Sequence, residues 1–554
     1  MKTIWRNIDN YDKRMQEYHD YHKKYSNKEE AIKNYFLRDS TGHYTKAVDL
    51  ICSAIERKMP IFISGDYDVD GMTSVAILYR GISEIYEDVQ WWVPDRTTNG
   101  YGLDVSVIAS KVSKTPALII AVDTGITEVD KCITLISRGY QILILDHHIP
   151  DMNNLPDADV IVDPKCFADQ TDTDYHACGG VIAAKTMYQL KCRYCNNTDV
   201  PINHATMELA ALCILSDVIP LTDEMKVLLE YGMICLRTSD TPGIQALFIA
   251  CGIKENTPVS SHLLVFTVIP KLNAAGRMGV SSLGVKLFLS STNVAYLAQN
   301  LVKLNSTRKE IENLIFTEAL QLASEYVKVY PHSVVVYKSG WHSGVLGIVA
   351  ARLLREFCVP VIVLTQEGDS LHGSCRSIEG CNIYNILQNC SDLLEQFGGH
   401  AAAAGLSLKA DMLPEFKKQF EASIVEQGIP EQKVLEYSKL ITIEDCQNIP
   451  WILSLRMKEP TGNKNPNWIF RVEEATVVHV SNTAINNNAV TVVLRNDAGN
   501  ELRLRQFRPT EDFSIYLYHK VHTLISPDFV YFGGITRPEW QLVDIQEVPD
   551  MEVV

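Results

Sequence analysis

The residues of this chain with the clearest chemical potential are aspartates and histidines that follow short apolar runs. Residues 141–145, QILIL, lead directly into Asp146, His147 and His148. A short continuous apolar run that ends at a turn signal is typical of a strand buried on both faces. In an open α/β sheet, ligands bind just beyond the C-terminal ends of the strands. Packing alone does not require an acid and two imidazoles in succession, so this motif predicts a functional site.

Two upstream apolar runs, residues 59–64 and 117–122, end in carboxylates in the same way. The acids that follow them are Asp66, Asp68, Asp70 and Asp123. Residues 127–138 carry apolar residues at helical spacing and precede a glycine, which predicts a helix. A strand, a helix and a strand of this length form a right-handed crossover in a parallel sheet. We therefore expect these acids and His147 to share one edge, where only cations could hold so many like charges together.

A further acid, Asp217, stands where the apolar segment 209–215 stops. Taken alone, such an acid is more often a turn or helix-terminal residue. Because other carboxylates already converge on one edge, we interpret Asp217 as a metal ligand.

Several arginines and polar residues are candidates for binding an anionic substrate. Arg96 follows a strand-like stretch on the same edge and lies in a loop with glycines, where it could contact a phosphate. Residues 270–278, PKLNAAGRM, could bring Lys271, Asn273 and Arg277 over an anion.

Two glycine-bearing segments of a second α/β region indicate a phosphate cradle. Residues 373–377, GSCRS, supply Ser374 and Arg376, and residues 397–405, FGGHAAAAG, place His400 before a predicted polyalanine helix start. Free amides at a helix start bind anions. A pair of tight turns is the alternative.

At 554 residues, the chain is too long for a single core and should divide into several domains. An amphipathic helix over residues 44–58 indicates that the tyrosine-rich N-terminus is a helical lid on the first domain, with base stacking by its tyrosines as the alternative. The pattern predicts an N-terminal helical extension over 1–45, a first α/β domain over 46–285 and a connecting helix over 286–330. A second α/β domain over 331–430 and a C-terminal β-barrel over 431–554 should follow, because short strands joined by polar turns dominate the end of the chain.

Composition excludes several classes of protein. The net charge of −16 argues against a protein that coats nucleic acid non-specifically, although it allows a local basic channel. Arg495, Arg503, Arg505 and Arg508 with Phe507 are either a single-strand-binding face or a solvated sheet face. No apolar run approaches a membrane span and the N-terminus has no signal-peptide core, so we expect a cytoplasmic protein. The 14 cysteines are scattered as reduced core residues, and the lone CxxC pair does not predict a zinc site.

Ten motifs occur in an order that is more specific than any one of them: GDYDVDG, RTTNGYGL, AVDTG, DHH, SDVIPL, PKLNAAGR, LNSTRKEIE, WHSGVLGIVAARL, GSCRS and FGGHAAAAG. From about residue 45 onward the chain resembles the RecJ family of single-strand-specific exonucleases, within the DHH phosphoesterase superfamily. The resemblance implies a DHH catalytic domain, a linking helix, a DHH-associated domain and an OB-fold. It also implies a hydrolase with two divalent metal ions, Mn²⁺ or Mg²⁺. Such an enzyme shortens single-stranded DNA from its 5′ end to mononucleotides during repair and recombination.

The same resemblance implies roles for the motif residues. The metal ligands are Asp66, Asp68, Asp70, Asp123, His147 and Asp217. Asp123 would bridge the two ions, Asp146 would orient His147, and His148 would contact the scissile phosphate. The pocket for the 5′ phosphate would use Arg96, Arg277, Ser374 and Arg376, and the cleft would be lined by Asn273 and His400. Single-stranded DNA is the implied partner, with a single-strand-binding protein and a helicase beside it and no membrane.

The chain departs from the family pattern at Thr124, Lys271 and Cys375, none of which is a predicted metal ligand. Two other functions remain open. The first is hydrolysis of short oligoribonucleotides or cyclic dinucleotides, although the long region after residue 430 favours a polymer substrate. The second is an inactive scaffold, although its metal-binding acids should then be eroded and here they are complete.

Overall fold

The computed structural model of the chain describes residues 2–95, 102–255, 257–430, 432–482, 489–507, 512–532 and 535–548. The predicted phosphate ligand Arg96, with the rest of its loop up to residue 101, lies outside the described residues. So does Arg508 of the C-terminal arginine cluster.

The N-terminal segment joins the first domain to the C-terminal domain. Its elements are β1 (Lys2–Asn7), α1 (Tyr11–Lys24), α2 (Lys28–Leu37) and α3 (His43–Glu56). Tyr11 and Tyr18 pack in the core of the C-terminal domain, whereas Tyr21 and Tyr25 pack in the core of the first domain. The prediction of a lid on the first domain alone was therefore incomplete. All four tyrosines are buried, which leaves no room for base stacking.

A five-stranded sheet in the order β3-β2-β4-β5-β6 is the centre of the first domain. All of its strand pairs are parallel, as the sequence predicts. The strands are β2 (Ile61–Gly65), β3 (Val89–Trp92), β4 (Ala117–Val122), β5 (Tyr140–Leu145) and β6 (Val160–Val162).

Helices cover both faces of this sheet, because alternate strand residues feed two cores. In β4, Ile120 packs with α3, α4 and α8 on one face, and Ile119 packs with α5 and α6 on the other. The helices of this domain are α4 (Val69–Ser83), α5 (Val105–Lys111), α6 (Val129–Ser137), α7 (Pro164–Phe167), α8 (Gly179–Cys195), α9 (His204–Ser216), α10 (Asp223–Arg237), α11 (Pro242–Ala250), α12 (Ser261–Leu263), α13 (Ile269–Arg277) and α14 (Ser282–Leu289).

The connection between the two α/β domains is not one helix over 286–330. Residue 286 belongs to α14, and the connecting helix α15 runs over Val294–Tyr326. The break is local, since Ser290 is extended and Asn293 has a left-handed φ of 57°. Serine, threonine and asparagine between the two helices hydrogen-bond their own backbone and so favour a turn over a continuous helix.

The second α/β domain has a mixed sheet in the order β10-β11-β9-β8-β7. Its strands are β7 (Val334–Tyr337), β8 (Val361–Glu367), β9 (Ser370–Arg376), β10 (Gln396–Gly399) and β11 (Ala403–Lys409), and its helices are α16 (Leu346–Phe357), α17 (Ile383–Asn389) and α18 (Leu413–Gln427).

One local prediction in this domain was wrong, and so was the alternative of tight turns. The polyalanine stretch starts strand β11 rather than a helix, because it forms a hairpin with β10 in which Gly399 pairs with Ala404. The GSCRS segment lies at the end of strand β9 rather than in a turn. Strand geometry places Ser374 and Arg376 on one face and the buried Cys375 on the other, so this departure from the family pattern is remote from the phosphate-binding face.

The C-terminal domain is OB-like. Its elements are β12 (Gln432–Tyr437), β13 (Lys439–Leu440), α19 (Ile449–Ser454), β14 (Phe470–Asn482), β15 (Ala489–Arg495), β16 (Glu501–Phe507), β17 (Lys520–Phe532) and β18 (Ile535–Glu547). The pairings run β14-β15-β16-β18-β17, and β17 pairs again with β14. Strand β14 is long and carries two register shifts, between Val472 and Ala475 and between Val477 and His479. Arg495 and Arg505 form ion pairs with Glu501 and Glu539.

None of the helices within the described ranges is both long and apolar enough to cross a membrane.

A buried lysine marks the junction between the N-terminal segment and the C-terminal domain. The Lys458 side chain is 1% exposed, and its Nζ lies 4.5 Å from the centroid of the Trp468 ring. Among the described residues, that Nζ has no hydrogen-bond partner. Burial, followed by the charges of Arg14 and Lys226, lowers the pKa of Lys458 to about 6. The folded protein therefore holds this lysine neutral at a pH where the unfolded chain would charge it.

Replacing Lys458 with methionine should stabilise the protein. We expect the free energy of unfolding to rise by about 1–4 kcal/mol at pH 7, as when buried ionic groups are replaced by apolar ones of similar volume. Between pH 6 and pH 10 the unfolded wild type binds more protons than the folded one, so wild-type stability should increase with pH and the difference should shrink. Urea denaturation at pH 7 and pH 9.5 measures both effects. Lys439→Met, at an exposed lysine over the Tyr11 ring, is the matched control and should change little. Equal destabilisation by both substitutions would contradict the account.

Candidate metal centre and phosphate pocket

Four acids follow the ends of neighbouring strands of the parallel sheet. Gly65 pairs with Val122, Val122 with Leu145, and Leu145 with Val162. In this register, the C-terminal ends of β2, β4, β5 and β6 lie side by side at one edge of the sheet. The acids that come next in the chain are Asp66, Asp123, Asp146 and Asp163.

Two further acids come from the start of α4. The Asp68 carboxylate caps this helix by accepting a hydrogen bond from the Gly71 N–H at 3.1 Å. Asp70, in the first turn, is 1% exposed and accepts hydrogen bonds from the N–H groups of Gly179 and Gly180 at 2.8 and 2.7 Å. The start of α8 therefore orients the Asp70 carboxylate.

Gly179 must be glycine for α8 to come this close. A Cβ at this position would lie 2.8 Å from the Cβ of Asp123, a distance that real Cβ atoms essentially never show. Asp123 itself has a left-handed φ of 58°, which is uncommon for a residue other than glycine. Strained backbone of this kind persists only where the surrounding structure imposes it, and it is concentrated at functional sites.

His147 lies at the centre of the acids and is 7% exposed. Its Nε2 is 3.1 Å from Asp123 Oδ1 and 3.6 Å from Asp70 Oδ2, and its Nδ1 is 3.8 Å from Asp217 Oδ2. Two sets of three side chains, Asp66/Asp68/Asp123 and Asp70/His147/Asp217, each offer ligand atoms within 4.8 Å of one another. The structure thus brings all six predicted metal ligands together.

The electrostatics of this cluster are those of a cation site. Burial, followed by the charge of neighbouring aspartates, raises the pKa values of Asp70 and Asp123 well above their ordinary range. Burial and then Asp68 raise the pKa of Asp217 to about 7. Burial, followed by the charge of His148, lowers the pKa of His147 to about 3. A neutral imidazole among crowded carboxylates is the form that binds a metal ion.

Asp146 does not orient the His147 ring as predicted. Its Oδ1 lies 2.7 Å from Nδ1 of His148 and accepts a hydrogen bond from the His147 backbone N–H at 2.8 Å. Its Oδ2 accepts from the Ile126 N–H at 3.0 Å. Asp146 therefore fixes the backbone of the DHH turn and the ring of His148. The cause is geometric, since successive residues after a strand project to different sides.

The pair of Asp146 and His148 is held in its charged form. Burial opposes ionisation of both groups, but the hydrogen bond and charge of His148 keep the pKa of Asp146 below its ordinary value. The hydrogen bond and charge of Asp146 likewise outweigh burial and raise the pKa of His148 to about 9. The His148 side chain is 35% exposed, so a protonated imidazole borders the open side of the site.

Asp163 and Lys165 belong to this site and were not singled out from the sequence. Asp163 is 1% exposed, and burial followed by the charge of Asp146 raises its pKa to about 8. The Lys165 ammonium donates a hydrogen bond to the backbone carbonyl of His147. The signal was present, because Asp163 also follows an apolar run at the same sheet edge.

A second polar site lies at the start of α16 and is shared by the two α/β domains. Arg277, at the end of α13, donates a hydrogen bond from Nη1 to the Gly344 carbonyl at 3.3 Å. A Cβ on Gly344 would lie 2.0 Å from the Arg277 carbonyl oxygen, so the contact requires glycine. The first domain therefore delivers Arg277 to the N-terminal end of a helix of the second domain.

Ser374 and Arg376 reach the same helix end from strand β9. Arg376 donates from Nη1 to Ser374 Oγ at 3.1 Å. A Cβ on Gly347 would be 2.9 Å from both Ser374 Oγ and Arg376 Nη2. We call the site formed by Arg277, Ser374, Arg376 and the start of α16 the phosphate pocket, because guanidinium groups and helix-start amides are the groups that bind phosphate.

The remaining predicted residues, Asn273 and His400, lie between the two sites. Asn273 is half-buried on α13, one helical turn before Arg277 and so on the same face. His400 is exposed in the hairpin of β10 and β11. Partial burial lowers the pKa of His400, and the charges of His148 and Lys165 lower it further. His400 of the second domain is therefore close enough to His148 and Lys165 of the first domain to feel their charge.

Two protein-family models match regions of the chain that contain residues of these two sites. The model of the DHH family, N-terminal domain, matches residues 60–214, and the model of the DHHA1 domain matches residues 330–426. The first match holds the sheet edge and all of the predicted metal ligands except Asp217. The second holds Ser374, Arg376 and His400.

Solved and curated relatives extend the likeness over most of the chain. The chain is similar to the crystal structure of RecJ in complex with Mn²⁺ from Thermus thermophilus, with a TM-score of 0.78 and 23% identity over 92% of this chain and 72% of that one. It is 31% identical to the single-stranded-DNA-specific exonuclease RecJ of Bacillus subtilis over 82% of this chain, and spans 57% of that relative's length. It is 32% identical to the protein of that name from Haemophilus influenzae over 69% of each chain. This chain belongs to the RecJ family.

Proposed function

We propose that this protein is a metal-dependent exonuclease that degrades single-stranded DNA from the 5′ end to 5′-mononucleotides. The observation that carries the proposal is a complete set of acid and imidazole ligands that shares one cleft with a phosphate pocket. The relatives named above are single-stranded-DNA-specific exonucleases by name. The two matched regions hold most of these residues, whereas Asp217 and Arg277 lie between them.

The donor set fits two divalent cations. Asp66, Asp68 and Asp123 would hold one ion, and Asp70, His147 and Asp217 the other. Asp123 would bridge them, since its carboxylate is 3.1 Å from His147. Carboxylate oxygens with a single imidazole suit Mn²⁺ or Mg²⁺. Two such ions, when bound, activate a water and stabilise the attacking and leaving oxygens of an in-line displacement.

The chain's own residues position and charge this site. The amides of Gly179 and Gly180 hold Asp70 in place, so the carboxylate does not need to reorganise. The protonated His148, fixed by Asp146, donates a hydrogen bond to an oxygen of the scissile phosphate as negative charge increases there. A preorganised donor in a site that largely excludes water is the usual source of such stabilisation.

The phosphate pocket sets the polarity and the product. A 5′-terminal phosphate bound by Arg277, Ser374 and Arg376, with Arg96 from the loop outside the described residues, fixes the distance to the cut. Asn273 and His400 line the path between the two sites. Because the cleft is bounded by two domains, it admits one strand and excludes a duplex.

The cellular setting is also part of the proposal. We place the protein in the cytoplasm, in DNA repair and recombination, beside a helicase and a single-strand-binding protein. The catalytic domain would comprise residues 46–285, the DHH-associated domain 331–430 and the OB-like domain 431–554. Membership of the RecJ family supports the cellular setting. The positions of the metal centre and the phosphate pocket support the domain assignment.

A 40-nucleotide single strand with a 5′ phosphate tests the polarity directly. With Mn²⁺, we expect labelled mononucleotide to appear at once from a 5′ label and only late from a 3′ label. Asp123→Asn should lower the rate by at least about 10³-fold, because it removes charge from the bridging ligand. Asp157→Asn, at an exposed acid beyond the DHH turn, is the matched control.

Three results would contradict the proposal. Immediate release from the 3′ label would refute the polarity. Survival of the long strand while dinucleotides are cut would favour the short-oligonucleotide function. Failure to cut either substrate with any divalent metal would favour the scaffold.

The phosphate pocket has its own test. Arg376→Ala should raise KM for a 5′-phosphorylated strand by roughly 10- to 100-fold, because a hydrogen bond to a charged group contributes about 1.5–3 kcal/mol. The same substitution should have little effect on a strand with a 5′ hydroxyl. Arg355→Ala, at an exposed arginine near the end of α16, is the control. An equal loss on both substrates would show that Arg376 has only a structural role.

Metal removal tests the repulsion among the acids. Thermal melting in excess chelator should give a lower Tm than melting in Mn²⁺, since bound ions stabilise only the folded state. Asp123→Asn should raise the Tm of the metal-free protein, because it relieves like-charge repulsion, and should shrink the gain from Mn²⁺. If Asp123→Asn lowers the metal-free Tm and keeps the full metal-dependent gain, the carboxylates do not form one cation site.

A further inference from the structure

A pair of thiols lies behind Asp70, away from the open side of the metal centre. Cys178 immediately precedes α8 and Cys213 lies in α9, and both side chains are 0% exposed. Their Sγ atoms are 3.3 Å apart. Asp70, Cys178 and Cys213 each offer a ligand atom within 4.8 Å of the others. The proposed hydrolysis uses neither thiol.

The two oxygens of the Asp70 carboxylate have different neighbours. Its Oδ2 is 3.6 Å from His147 Nε2, on the catalytic side. Its Oδ1 accepts the Gly180 N–H, and a Cβ on Gly180 would lie 2.5 Å from Cys213 Sγ and 3.3 Å from Asp70 Oδ1. Oδ1 and Cys213 Sγ therefore both lie beside Gly180. Asp70 is shared between the metal centre and the thiol pair.

We propose that Cys178, Cys213 and Oδ1 of Asp70 form a site for a thiophilic divalent ion, Zn²⁺, whose binding stops the nuclease. Two sulfurs and a carboxylate are a zinc-type donor set, which Mg²⁺ and Mn²⁺ disfavour. Each thiol gives up its proton as the ion binds, so each Zn²⁺ releases two protons. Only the inhibition rests on the proposed function; the binding does not.

Distances favour an ion over a disulfide between the two cysteines. Zinc–sulfur bonds of about 2.3 Å in a tetrahedral site separate two sulfurs by about 3.8 Å. The observed separation of 3.3 Å would have to increase by roughly half an ångström, which small side-chain rotations supply. A disulfide of about 2.05 Å would instead require an approach of more than an ångström. That movement would pull on the first turn of α8, which holds Asp70.

Zinc at this site would withdraw Asp70 from the catalytic ions. An ion on Oδ1 would neutralise negative charge that helps to hold the catalytic ions. It would also turn the carboxylate toward the thiols. Excess Mn²⁺ should not reverse the inhibition, because thiolates are poor ligands for that ion. We expect Zn²⁺ to reach the thiol pair from the metal centre, because Asp70 belongs to both sites.

Co²⁺ is the probe for the binding step. The reduced full-length protein, with Mn²⁺ present, is titrated with Co²⁺ while the thiolate-to-cobalt charge-transfer absorption is recorded. We expect the band to saturate at one equivalent and to disappear when Zn²⁺ is added. Cys213→Ala should abolish the band and raise the Zn²⁺ concentration for half-inhibition by at least about tenfold, since even outer residues of metal sites contribute that much. Cys235→Ala, at a buried cysteine of α10, should behave as wild type.

Several outcomes would overturn the proposal. If the charge-transfer band is absent in the wild type, or persists in Cys213→Ala, Cys178 and Cys213 do not form a metal site. Zinc inhibition that is unchanged in Cys213→Ala would show that Zn²⁺ acts by replacing the catalytic ions. If melting shows that Cys213→Ala is misfolded, Cys213→Ser keeps the volume and is judged by the same tenfold criterion. An inactive wild-type protein would refute the nuclease proposal, and the absorption titration would still decide the thiol site.

Discussion

The mutual repulsion of buried carboxylates is the constraint on which the rest of this structure depends. Asp66, Asp70 and Asp123 are nearly inaccessible to solvent and lie together with Asp68 and Asp217. A chain free to relax would separate them. The level ends of parallel strands, the left-handed backbone at Asp123 and the amides that hold Asp70 all act against that separation. The fold therefore leaves an excess of negative charge that bound divalent cations would offset.

The second constraint is the fixed relation between the metal centre and the phosphate pocket. Gly344 and Gly347 allow two arginines to approach one helix start with no side chain between them. The connecting helix α15 is tied to α16 by Glu312, which pairs with Arg308 in its own helix at 2.5 Å and with Arg352 of α16 at 3.0 Å. Because these pairs are largely buried, solvent screens them little. These buried ion pairs add polar contacts to the apolar core that α15 and α16 share.

The sequence predicted the parallel sheet and its acids because both depend on local patterns. Apolar runs identify buried strands, and parallel strands end on the same side, so the convergence of Asp66, Asp123 and His147 follows without any long-range information. The direction of individual side chains does not follow. Asp146 holds His148 rather than the His147 ring because that choice depends on the turn after β5.

The errors elsewhere have the same origin. Alanine has high helix propensity, yet Ala404 lies in a strand because its neighbours in β10 and β9 supply the backbone partners. Tyrosines at the N-terminus looked available from composition alone. The partners of Tyr11 and Tyr18, including Trp468, are more than four hundred residues away in the chain, and no local pattern reveals such a contact. Asp163 is different, because the pattern that identified the other acids also applies to it. It follows an apolar run at the same sheet edge and could have been predicted from the sequence.

The pairing of β1 with β12 has a consequence for how the protein is made. Arg6 and Glu436 of these strands are separated by 430 residues. On a ribosome, β1 must wait, with its backbone groups unpaired, until the 430 residues that separate it from its partner have been synthesised. Such an exposed edge invites pairing with other chains, and the short length and charged residues of β1 limit that hazard. Closure of this two-stranded ribbon would then follow synthesis of both α/β domains and precede that of β14 to β18.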